Sequence, residues 1–182
     1  MSYEKDLINK GKHLAYLLRH DKEAFEAGLI DANGWREVKE LIHNHGYGQK
    51  MLDDIVETNN KNRYEYSFDK RKIRARQGHS IPVDVELTEM TPPDYLYHGT
   101  TRKSYYEHII KDGLKPMSRL HVHLSKDIET AKIVGARHGG KENVIVLRVD
   151  AKAMTEDDFK FYLSNNGVWL TERVPVDYLY NV

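Results

Sequence analysis

The sequence predicts an α+β protein made of a helical unit with a hairpin and a second, mixed α/β unit. Three observations carry that prediction. Apolar residues recur at helical spacing up to residue 58, and two short β-like runs, RYEYSF and KIRAR, then flank the turn DKR. Beyond Pro92-Pro93, strand-like pieces alternate with helical ones. A proline pair neither continues a helix nor sits inside a sheet, so it marks a boundary. The units are expected at residues 1–90 and 91–182.

In YEKDLINKGKHLAYLLRH, Leu7, Gly11, Leu14 and Leu18 share a helical face with Ile8 and Ala15 alongside, and the helix should stop near Asp21. GLIDANGW carries an Asn-Gly turn signal. WREVKELIHNHG places Trp35, Val38, Leu41 and Ile42 on one helical face closed by Gly46. A third helix, about Gln49 to Thr58, presents Met51, Leu52, Ile55 and Val56. Three short helices followed by a hairpin is the pattern of a winged helix, a common nucleic-acid-binding form. In the second unit, YLYHGT, HVHLS, VIVLRVD and VWLTERV read as strands, and KSYYEHIIKDG and KDIETAKIVGARHG as helices.

Composition narrows the function. The 182 residues are 40% hydrophobic and 31% charged, as in a soluble globular protein. There is no cysteine, which removes disulfides, thiolate chemistry and the strongest zinc signatures. No apolar run approaches the roughly 18 residues that span a bilayer. The charged start MSYEKDLINKGK has no signal-peptide core, so a cytoplasmic protein with no membrane partner is expected. A net charge of zero argues against nonspecific coating of nucleic acid. Charge is instead local: Lys61, Arg63, Lys70, Arg71, Lys72, Arg74 and Arg76 stand against Glu65 and Asp69.

Several strings offer chemistry. Arg19-His20 closes the first helix, either as two cations suited to a helix C-terminus or as an anion-binding pair. Lys70, Arg71 and Lys72 at the turn read as a solvated charge run. Arg63, Arg74 and Arg76 lie within the expected strands and are better placed to fork onto phosphate. His98-Gly99-Thr100 ends a strand where glycine permits close approach of a ligand. In RLHVHLS, strand alternation puts Arg119, His121, His123 and Ser125 on one face and Leu120, Val122 and Leu124 on the other. His98, His121 and His123 could ligate a metal, but Arg119 would set a cation beside it. An anion or nucleotide fits this mixture better, and no metal is expected. Ser125 can equally be a helix N-cap, with Glu129 near the capping-box position. SNNGVWL is a turn before a strand, either simply so or bordering a ligand cleft.

Taken in order, LAYLLRH, GLIDANGWREV, KNRYEYS, IRARQGHSIPVD, YLYHGTT, GLKPMSRLHVHLSKD, AKIVGARHG and SNNGVWLTERVP resemble the RNA 2′-phosphotransferase family, the KptA type. They span nearly the whole chain. The resemblance implies an N-terminal winged-helix-like lobe that holds RNA and a C-terminal ADP-ribosyltransferase-like lobe that binds NAD⁺ as co-substrate. The implied substrate is RNA with an internal 2′-phosphate, such as a tRNA splice junction, and the implied state is a monomer. In the implied reaction the 2′-phosphate attacks C1″ of the nicotinamide ribose and expels nicotinamide, giving RNA-2′-phospho-ADP-ribose. The 2″-hydroxyl then attacks phosphorus, leaving 2′-hydroxyl RNA and ADP-ribose 1″,2″-cyclic phosphate.

The family's catalytic Arg-His-Arg-Arg set falls on Arg19, His20, Arg63 and Arg119, with Arg74 and Arg76 as competitors for the third place. His98, Gly99, Thr100, His123, Leu124, Ser125 and Val168 fall on the NAD⁺ side. Many ADP-ribosyltransferases have tyrosine where this chain has His123 and glutamate where it has Val168. Arg74, Arg76 and His79 are candidate RNA contacts, and His121 is left without a role. Two other readings compete. One is an ADP-ribosyltransferase that caps terminal phosphates of RNA or DNA, and the other a non-catalytic RNA-binding module that responds to NAD⁺.

Overall fold

A computed structural model describes residues 3–58 and 62–182, so Lys61 lies outside the described residues. The fold is α+β, and the chain divides into two compact units between Glu86 and Leu87. That boundary precedes the proline pair because Thr88–Glu89 forms strand β4, which pairs with β8 (Tyr162–Leu163) of the second unit.

Helix α1 (Tyr3–Arg19) buries Leu14, Leu17 and Leu18 and carries Glu4 and Asp6 in its first turn, where the helix dipole favours them. It ends where Asp21 caps the next helix, α2 (Lys22–Glu26), accepting from the Ala24 amide at 3.1 Å. Strand β1 (Arg36–Glu37) then precedes α3 (Val38–His45). The helix therefore starts three residues later than the apolar spacing from Trp35 suggests. The Asp31 carboxylate accepts from the amides of Asn33 and Trp35, which turns the chain onto the sheet edge, and Arg36 pairs with Ile73. Gly46 closes α3 with φ 65°, a left-handed conformation suited to glycine. Helix α4 (Gln49–Glu57) follows and buries Leu52 and Ile55. Strands β2 (Tyr64–Tyr66) and β3 (Lys72–Ala75) form the expected hairpin, completing a sheet of order β1-β3-β2. Leu14, Leu18, Leu41, Leu52 and Ile73, all fully buried, make its core.

The second unit has two antiparallel sheets. Strand β5 (Tyr95–Thr101) pairs along its whole length with β7 (Val144–Asp150), and β7 also pairs with β10 (Leu179–Asn181). The other sheet joins β4, β8, β9 (Trp169–Thr171) and β6 (Val122–Leu124). Mutual backbone hydrogen bonds between Tyr97 and Ser125, at 2.8 and 2.7 Å, link β5 to the end of β6. The expected helix after β5 is present as α5 (Arg102–Ser104), a π-helical turn (Tyr105–Ile109) and α6 (Ile110–Asp112). Helix α7 (Ile128–Gly139) packs on β5, and α8 (Ala151–Glu156) follows β7. Among the described residues no helix is long and apolar enough to cross a membrane.

Gly99 serves this packing. A Cβ on Gly99 would stand 1.8 Å from the Ala131 carbonyl oxygen, and one on Gly135 would stand 2.9 Å from the Gly99 carbonyl carbon. The close approach expected at this glycine is therefore made by helix α7. The α7 face of β5 is occupied at Gly99, and His98 points to the opposite side by strand alternation.

Candidate functional site

In the first unit the site residues gather around the end of α1. Arg19 and His20 are half-buried. Residues 77–81 fold back over this helix end: the Ser80 amide donates to the Arg19 carbonyl at 2.9 Å, and the His20 Nδ1 lies 2.8 Å from the Ser80 hydroxyl. The Arg19 guanidinium sits 5.9 Å from the Tyr64 ring centroid. Tyr64 in turn donates from its hydroxyl to the Gly11 carbonyl at 3.0 Å, which ties β2 to α1. Burial raises the Tyr64 phenol, and the charges of Arg19 and Arg63 act against that rise, so both arginines bear on the same ring. Arg63 lies just before β2, and its carbonyl accepts from the Arg76 amide at 2.9 Å.

Beneath this cluster lies a residue to which the sequence gives no role. Arg36 is 1% exposed. Its guanidinium donates to the Leu17 carbonyl at 2.9 Å, to Asp21 at 2.8 Å and to Glu40 at 2.6 and 3.1 Å, with His45 Nε2 at 3.0 Å. It thus clamps the chain on both sides of Arg19-His20. Burial alone would raise the Asp21 carboxyl, but hydrogen bonds from Arg36 and the Ala24 amide hold it below the ordinary range. Glu40 is held down in the same way by Arg36 and Asn44.

The basic residues of the hairpin separate into two classes. Arg74 pairs with Glu65 at 2.6 Å and Glu86 at 3.2 Å and lies 4.3 Å from the Trp35 ring centroid. Arg76 pairs with Glu65 at 3.2 Å. Their charge is already answered by carboxylates. Arg63 forms no ion pair with a carboxylate of the described residues.

His79, expected as an RNA contact, is 2% exposed and cannot serve as one. The fold-back that puts Ser80 on α1 drives the His79 ring inward, where its Nε2 has no hydrogen-bond partner among the described residues. Burial first, then Arg19, His20 and Arg74, push its pKa down to about 3. An unfolded histidine titrates near about 6.5, so below that pH the unfolded chain binds more protons. The contribution of His79 is complete above about pH 6.5 and declines by roughly 1.4 kcal/mol per pH unit on acidification. Urea unfolding at pH 7.5 and pH 5 is expected to show about 2 kcal/mol less stability at pH 5 from this group. His79→Gln should flatten that part of the profile.

The second unit holds the remaining residues. Arg119 does not lie on the strand: its amide bonds the Pro116 carbonyl in a turn, and β6 begins only at Val122. Its exposed guanidinium still reaches to 3.4 Å from the His123 Nδ1. Like Arg63, Arg119 forms no ion pair with a carboxylate of the described residues. His98 Nδ1 stands 3.0 Å from the His123 carbonyl, which only accepts, so that nitrogen carries the proton. Ser125 is held by its bridge to Tyr97. The cap of α7 is Asp127, whose carboxylate accepts from the Thr130 amide at 2.7 Å, so the capping expected of Ser125 belongs to Asp127.

His123 faces Leu170 and Leu124 faces Trp169 in the β6–β9 register, with Ser125 just after and Val168 just before this ladder in the chain. The Ser164 hydroxyl brackets Val168, accepting from its amide at 3.1 Å and donating to its carbonyl at 3.0 Å. Leu124 is 1% exposed and belongs to the core, so only its backbone could meet a nucleotide. Thr100 is also buried. His121 packs edge-on to Tyr162 at 5.9 Å, and burial lowers its pKa.

The chain matches the model of the RNA 2′-phosphotransferase, Tpt1/KptA family over residues 5–173. It belongs to this family. Relatives called "Probable RNA 2′-phosphotransferase" include one from Fusobacterium nucleatum, 49% identical over 94% of this chain and 97% of its own length. One from Flavobacterium johnsoniae is 51% identical over 92% of both chains, and one from Hahella chejuensis 48% identical over 97% of this chain and 95% of its own. The family match covers both clusters, from Arg19-His20 to Val168. Ser80 and Arg36 also fall inside it. The sequence held no signal for either role, because both depend on contacts between residues far apart in the chain.

Proposed function

We propose that the protein transfers an internal RNA 2′-phosphate to NAD⁺, with the first unit acting as a winged-helix-like RNA-holding element and the second as an ADP-ribosyltransferase-like one. A 2′-phosphate oxygen bonds to C1″ of the nicotinamide ribose as the C1″–nitrogen bond breaks, and nicotinamide leaves with the electron pair. In the second step the 2″-oxygen bonds to phosphorus and gives up its proton. The bond from phosphorus to the RNA 2′-oxygen breaks, and that oxygen takes a proton. The products are 2′-hydroxyl RNA and ADP-ribose 1″,2″-cyclic phosphate.

The observation that carries this reading is the division among the arginines. Arg74 and Arg76 are committed to carboxylates, whereas Arg63 and Arg119 have none among the described residues. This supports Arg63, rather than its neighbours, as the third member of the set Arg19, His20, Arg63 and Arg119. Guanidinium groups do not titrate near neutrality, so they orient a phosphate without taking part in proton transfer. His20 is the proton-transferring member, its ring set by Ser80. His98, whose Nδ1 is anchored on the His123 carbonyl, is the residue that would meet a ribose hydroxyl. Ser125 and Val168, at the strand ends, border the nicotinamide ribose.

Nicotinamide release separates the competing readings. An internal 2′-phosphorylated oligoribonucleotide should give nicotinamide and 2′-hydroxyl RNA. A 5′-phosphorylated oligonucleotide that instead ends as a stable ADP-ribosylated product, with the 2′-phosphorylated one inert, would assign the protein to end capping. No nicotinamide from either would leave only a binding role.

A further inference from the structure

The hairpin turn 67–71 between β2 and β3 presents an aromatic ring wholly to solvent. Phe68 is 108% exposed, whereas no other large apolar side chain among the described residues exceeds the 86% of Met117. Single exposed apolar residues are ordinary on protein surfaces. This one is distinguished by the rigidity and charge of its mount. The Ser67 amide donates to the Lys72 carbonyl and the Lys70 amide to the Ser67 carbonyl, both at 2.9 Å. Asp69 accepts from the Ser67 hydroxyl at 2.7 Å, from the Arg71 amide at 3.1 Å and from the Arg71 guanidinium at 2.7 Å. Lys70 takes φ 54° to close the turn. The acidic residue of the tip is consumed in bracing it, and Lys70 lies over the Tyr66 ring at 5.6 Å without a carboxylate partner among the described residues. Phe68 is thus carried on a braced backbone beside a net positive charge.

We propose that this tip is a second RNA-docking element, in which Phe68 stacks on a base of the single strand flanking the reacting phosphate and Lys70 meets its backbone. Every base has a face that stacks on an aromatic ring, so the contact is tolerant of sequence. The inference rests on the proposed function and adds a length preference to it. At about 3.3 Å per residue, the five steps from Arg63 to Phe68 span up to about 16 Å. In this proposal a base on Phe68 is nucleotides away from a phosphate at Arg63, and a minimal substrate does not reach both.

The test compares kcat/KM for a 2′-phosphorylated dinucleotide and for a single-stranded 2′-phosphorylated oligomer of about ten nucleotides. The wild-type protein is expected to favour the oligomer, and Phe68→Ala to reduce that preference by about 5- to 150-fold through KM, the range for one base–aromatic stack. Phe68→Trp should keep the preference, with its fluorescence quenched by the oligomer. A preference equal in wild type and Phe68→Ala would overturn the proposal and leave the tip to some other partner, such as a protein. Failure of the function itself would show differently, as no turnover of the dinucleotide by the wild-type protein.

Discussion

Arg119→Ala is expected to slow product formation from NAD⁺ and 2′-phosphorylated RNA by about 100- to 1,000-fold, the usual effect of deleting one donor aimed at developing charge. The proposed second step would pass through a pentavalent phosphorane, where charge builds on oxygens that a guanidinium can fork onto. Arg119 is exposed and makes no ion pair with a described carboxylate, so its removal should leave stability within about 0.5 kcal/mol. Single-turnover rates together with a thermal melt check both parts. Arg119→Lys should recover little, because an ammonium does not reproduce the planar fork. A loss of activity in proportion to a fall in melting temperature would mean a structural role instead.

Arg36→Ala should be the most destabilising single change near the site, by about 3–5 kcal/mol. It strands Asp21 and Glu40, with side chains 16% and 13% exposed, without their cation. The pH dependence carries a sign. In the wild-type protein both carboxyls are held below their ordinary range, so the stability they confer is present above about pH 4 and lost as pH falls further. Without Arg36, burial raises both carboxyls, and mild acid then relieves the variant. Its deficit, measured by urea unfolding, should shrink between pH 7 and pH 5. A constant deficit across that range would show that lost packing, rather than stranded charge, is responsible. Under conditions where the variant is folded, activity should still be lower, because the Leu17 and Asp21 contacts on either side of Arg19-His20 are gone.

Much of this arrangement is legible in the sequence because it depends on local periodicity. The apolar spacing of α1 and α4, the β2–β3 hairpin and the strand at YLYHGT follow from neighbours a few residues apart. Features made by distant contacts are not legible. Arg36 looks like the start of a helix, and only the pairing of its backbone with Ile73 makes it a strand residue with a buried guanidinium. His79 looks like part of a basic surface string until Ser80 bonds to the end of α1 and turns the ring inward. Alternation in RLHVHLS assigns His123 and the buried Val122 and Leu124 to opposite faces. It overextends the strand to Arg119, which a turn brings back to His123. Gly99 suggests room for a ligand, and the room is filled by the backbone of α7.

The fate of the phosphate tests the central claim most directly. The protein would be incubated with an oligoribonucleotide whose internal 2′-phosphate carries radioactive phosphorus, with and without NAD⁺. The label is expected in ADP-ribose 1″,2″-cyclic phosphate, only when NAD⁺ is present, and with one nicotinamide released per phosphate transferred. Label released as inorganic phosphate, or retained on the RNA with NAD⁺ present, would contradict the account.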